Sequence, residues 1–85
     1  MPSLFELYCT SRQLLGMCEQ QLMAACDPNL TLSLTVALGE LAYWSAEYEV
    51  AAWPHAHADL LWIRLFLAHQ LALEALDALE QRKAA

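Results

Sequence analysis

Sparse punctuation constrains this chain most. Proline stands only at positions 2, 28 and 54 and glycine only at 16 and 39. The two internal prolines therefore divide the sequence into three uninterrupted pieces of helical length, with no linker and no repeat between them.

The first piece opens with Ser3-Leu4-Phe5-Glu6, a capping-box pattern in which the serine accepts from a free backbone N–H and the glutamate reaches back to the cap. Beyond it, Leu4, Leu7, Tyr8, Leu14, Leu15, Cys18, Leu22 and Ala25 recur at helical spacing. Glu6, Gln13, Met17, Gln20 and Gln21 take the other side. The spacing predicts an amphipathic helix over about 3–26, closed by Asp27-Pro28-Asn29.

The second piece carries a conflict. Leu30, Leu32, Leu34, Val36 and Leu38 alternate with smaller or polar residues, which read alone is a strand. A lone strand leaves its backbone groups unpaired, so this reading requires two chains to pair their 30–38 segments. As a helix over about 30–52, Leu34, Leu38, Leu41, Ser45, Tyr48 and Ala52 make one stripe. Pro28 suits a first turn. The helix is the favoured reading.

The third piece predicts a helix over about 55–83, ending in the cations Arg82 and Lys83 that suit a helix C-terminus. Leu61, Leu65, Ala68, Ala72, Leu76 and Leu79 form its main stripe. Trp62, Phe66, His69 and Leu73 form a second one on another side, and Ile63 and Leu67 widen it further. A helix apolar nearly all round is buried nearly all round, yet two neighbours from one short chain cover only one broad face. The expected fold is all-α: a single antiparallel three-helix bundle spanning 1–85 and assembling as a homodimer through Trp62, Phe66, His69 and Leu73.

Composition supports that expectation. Hydrophobic residues make up 59% of the chain and charged ones 16%, against a usual charged share of about 25%. A chain this short buries only about 60% of the surface it exposes when unfolded. The surplus apolar surface calls for a second copy or a resident partner.

Charge narrows the class of partner. Ten acidic residues against four basic ones give a net charge of −6, which phosphate backbones repel, so direct nucleic-acid binding is not expected. A basic protein partner fits better. Three cysteines, Cys9, Cys18 and Cys26, form no Cys-x-x-Cys pair and suit a reducing cytosol. No signal peptide or membrane span is expected, because Glu6, Asp27, Glu40, Asp59 and Arg64 interrupt every candidate run.

Chemistry-bearing constellations are few. In His55-Ala-His57-Ala-Asp59, histidines two apart on a helix point about 200° from each other and cannot share an ion. His55, His57 and Asp59 thus remain minor metal candidates, with Pro54 and Asp59 better read as the start of a helix. The five residues resemble the opening of the metal-binding motif of the metallo-β-lactamase fold, but position 60 is leucine where that motif continues with histidine, and the expected fold has no layered sheets. Ser11 and Ser45 sit within apolar stripes, with no His-and-acid partner evident in the sequence. Their small side chains suit close helix approach.

No cofactor and no enzymatic activity are implied. The expectation is a small acidic helical protein acting by protein–protein interaction: an adaptor, chaperone or inhibitor in a bacterial or phage cytosol. Val36, Glu40, Tyr43 and Glu47 are the candidate contacts for an outside partner. The alternatives are an acidic decoy that neutralises a basic nucleic-acid-handling partner, and a metal-binding protein using His55, His57 and Asp59.

Overall fold

The computed structural model describes residues 2–24, 28–50 and 58–84, without the side chains of 30 and 82–84. Three helices follow one another, α1 (Leu4–Ala24), α2 (Pro28–Val50) and α3 (Ala58–Ala84), and each packs against both others. The bundle is elongated, 46 × 23 × 16 Å. Its radius of gyration of 13.6 Å exceeds the roughly 12 Å of a rounder chain of this length.

The all-α, three-helix expectation holds. Asp27, Pro54, His55 and His57, on which the sequence placed a helix end, a helix start and metal candidates, lie outside the described residues, as do Ala25, Cys26 and Ala52.

Local chemistry explains the helix starts. Ser3 Oγ accepts from Glu6 N at 3.1 Å and donates to Glu6 Oε1 at 3.2 Å. The glutamate therefore reaches the serine hydroxyl, where the standard box has it meet the cap's own N–H. Pro28 is the first residue of α2, where a missing N–H costs nothing.

Segment 30–38 is helical, and the strand-like alternation has a local resolution. Ser33 Oγ donates to Asn29 O at 3.3 Å and Thr35 Oγ1 to Thr31 O at 2.7 Å. The polar members of the alternation thus satisfy themselves on the preceding turn of their own helix. Its apolar members divide: Leu34 is fully buried, whereas Leu32 and Val36 face water.

The core follows the helical stripes. Leu14 and Cys18 of α1, Leu34, Ala37 and Leu41 of α2, and Ala68, Ala72 and Ala75 of α3 form one buried cluster. Three alanines on the buried side of α3 let α2 and α1 approach closely. Leu61 and Leu65, toward the opposite end of α3, are fully buried. At the rim, Tyr8 and Tyr48 stack with centroids 4.4 Å apart, and Arg12 lies 3.9 Å from Glu49. That ion pair is solvated and contributes little to stability. Partial desolvation, then the Glu49 carboxylate, raise the pKa of the Tyr8 phenol.

Candidate interaction surface

Two polar side chains meet inside the bundle. His69 Nε2 lies 2.9 Å from Ser11 Oγ and 3.3 Å from the Leu7 carbonyl oxygen, and both side chains are buried. The sequence offered Ser11 no histidine; the fold supplies one from α3. A carbonyl oxygen only accepts, so in the tautomer that satisfies Leu7 O the proton sits on Nε2, which donates to it. The pair is a buried polar tie between α1 and α3. Burial, opposed by the Leu7 hydrogen bond, lowers the imidazole pKa and keeps the ring neutral.

This placement divides the self-association set foreseen in the sequence. His69 faces inward and is consumed by α1. Trp62 is half-buried, with Nε1 donating to Pro2 O at 2.9 Å and its ring stacked on Phe66 at 5.2 Å. Phe66 and Leu73 remain on the surface. Around them lies a wider apolar area, of which the helical stripes of the sequence outline only part. Leu60, Ile63, Phe66, Leu67, Leu71 and Leu73, all on the outer side of α3, are each between 38 and 50% exposed. Arg64 is the only charged residue between 60 and 73.

Helix α2 behaves similarly. Leu32, Val36, Tyr43 and Val50 are exposed along its outer side. Of the partner-binding set, Val36 and Tyr43 lie on this stripe. Glu40, at its edge, accepts from Trp44 Nε1 at 2.9 Å, and Arg64 stands over the Trp44 ring at 5.6 Å. Glu47 is half-buried. The outer side of α1 contrasts with both: Glu6, Thr10, Arg12, Gln13, Glu19 and Gln20 give it an ordinary solvated face, broken mainly by Phe5, Met17 and Met23. Large exposed apolar side chains thus number six on α3, four on α2 and three on α1 among the described residues.

Magnitudes give this weight. The six α3 side chains leave on the order of 400 Å² of apolar area in water, already in the range of the largest patch on a typical monomer. Adding the exposed residues of α2 brings the sum toward the roughly 800 Å² per partner of an ordinary protein interface. The whole chain exposes 5596 Å², about a tenth more than the roughly 5,000 Å² expected for its mass.

Other chemistry has less support. Among the described residues no group of three or more His, Cys, Asp or Glu could hold a metal ion, and Asp59 is exposed at the start of α3. Cys9 and Cys18 are free thiols, and burial raises the pKa of the Cys18 thiol, which makes it unreactive. No described helix is long and apolar enough to cross a membrane. Comparison with protein-family models, curated proteins and solved structures finds no match to this chain.

Proposed function

We propose that this chain is a small acidic protein that works by binding other protein chains, as an adaptor, chaperone or inhibitor, and that it self-associates through α3. One observation carries the reading: the solvent side of α3 from Leu60 to Leu73 is populated mainly by large apolar side chains. Leaving that surface wet is unfavourable, and a two-fold copy or a partner removes it from water. Trp62 stacked on Phe66 supplies a rigid aromatic element of the kind that anchors interfaces. The free thiols Cys9 and Cys18 are compatible with a reducing cytosol.

Sedimentation tests the self-association. Wild type at micromolar concentration is expected at twice the 9.5 kDa chain mass. Phe66→Asp and Leu67→Asp, both at exposed positions, are expected to sediment as folded monomers. A monomeric wild type would remove self-association from the proposal.

A further inference from the structure

We infer that the groove between α2 and α3 is a docking site for an amphipathic helix of another protein, apolar on one face and flanked by Lys and Arg. The inference deepens the proposal that the chain works by binding protein partners, and rests on it.

The groove, about 350 Å³, has walls of Leu32 and Val36 from α2 and Leu71 from α3, over a floor of Ala75 and Ala78, with Glu74 at its edge. Val36 is 50% and Leu71 42% exposed, so both walls stand open to a ligand. Small floor residues allow a helix backbone to come close. Continuing along α2 past Val36 to Tyr43, the apolar edge runs for about 17 Å at 1.5 Å per residue, enough for three turns of a partner helix. Such a helix engages a groove of this kind through residues at i, i+3 or i+4, and i+7.

Charge selects the occupant. The carboxylates bordering this side are Glu74 of α3 and Glu40 and Glu47 of α2, within a chain of net charge −6. Among the described side chains the nearby cation is Arg64, which lies over the Trp44 ring. A second copy makes a poor occupant of this groove, self-association being assigned to the Trp62, Phe66 and Leu73 side of α3, roughly 140–200° around that helix from Leu71. Its α3 would bring Glu74, Asp77 and Glu80, offset only by Arg82 and Lys83 at the helix end, and its α1 Glu6 and Glu19, against those carboxylates. Its other described cation side chain, Arg12, already stands beside Glu49. An acidic partner meets the same repulsion. A helix with basic flanks is complementary in both apolar pattern and sign.

The test uses the full chain and two fluorescent synthetic helices with the same leucine face, one flanked by Lys and Arg and the other by Glu. Anisotropy titration at low salt is expected to show the basic helix binding at least about tenfold more tightly, with the difference shrinking as salt rises. Val36→Asn or Leu71→Asn, at exposed positions that leave the core intact, should weaken the basic helix about tenfold. Glu74→Lys should narrow the preference between helices while circular dichroism stays unchanged. Equal affinities for the two helices, or a basic helix indifferent to Leu71→Asn and Glu74→Lys, would overturn the inference. Sedimentation separates its failure from that of the broader proposal: a dimer that ignores the basic helix leaves self-association standing, and a monomer that ignores it removes both.

Discussion

Ser11 and His69, on α1 and α3, bring Oγ and Nε2 within 2.9 Å of each other in a site closed to solvent. Nε2 also reaches the Leu7 carbonyl, so one ring nitrogen holds two groups of the neighbouring helix. Burial disfavours the charged imidazole there, since a charge in this setting loses its hydration for one serine and one carbonyl.

This fixes a pH dependence. The His69 pKa lies below its ordinary 6.5, chiefly through burial, so as pH falls the unfolded chain takes up the proton first. Stability from this group is fully present above about pH 6.5 and is lost as pH drops through the folded value. Urea titrations of wild type and His69→Gln from pH 7.5 to 5 should show the stability difference between them shrinking with acid. A constant difference would mean that the ring is not held neutral by the fold.

The two buried serines should respond oppositely to truncation. Ser11→Ala removes a partner from the His69 N–H and is expected to cost about 1–2 kcal/mol. Ser45 is equally buried, yet its Oγ finds no partner among the described residues. Ser45→Ala should therefore be neutral or stabilise by about 1 kcal/mol, because it deletes an unsatisfied hydroxyl. Thermal unfolding of both variants reads the contrast directly.

Leu32 and Leu34 separate helix from strand. Two residues apart, they would share one face of a strand, but on α2 Leu34 is fully buried and Leu32 is 66% exposed. Leu34→Ala is expected to cost roughly 2–5 kcal/mol and Leu32→Ala under about 0.5 kcal/mol. Similar losses at both positions would count against the helical register.

Gly16 and Gly39 lie inside helices, and a Cβ built at either meets nothing within 4 Å. Alanine at each should raise stability by about 0.5–1 kcal/mol, through a less flexible unfolded chain and better helix propensity. Gly39 sits on the outer side of α2, so Gly39→Ala that stabilises the fold yet weakens partner capture would place a close backbone contact there. Denaturant midpoints measured beside the helix-binding assay separate the two effects.

Most of the fold was legible because helical periodicity is a local property. Leu7, Leu14, Cys18, Leu34, Leu41, Leu61, Leu65, Ala68, Ala72 and Leu79 were all placed on inward stripes by spacing alone, and all are buried. The surface was only partly legible. Trp62, Phe66, His69 and Leu73 look equivalent on a helical projection, yet the structure grades them from buried His69 to half-exposed Leu73. Ala37 and Ala75 joined the core unforeseen, since alanine carries a weak signal of burial. The Ser11–His69 contact spans 58 positions and has no sequence spacing that could announce it.

The sequence by itself determined three helices, through the near absence of proline and glycine within each piece and through stripes that repeat at the helical period. It also determined the excess of apolar over charged side chains. Tertiary structure alone decided which apolar side of α3 remains wet, because burial depends on where the neighbouring helices lie around the axis. A helix apolar on several sides, as α3 is over residues 60–73, carries no internal instruction about which side its neighbours will cover. Packing against α1 and α2 made that choice, and left Leu60, Ile63, Leu67 and Leu71 facing outward.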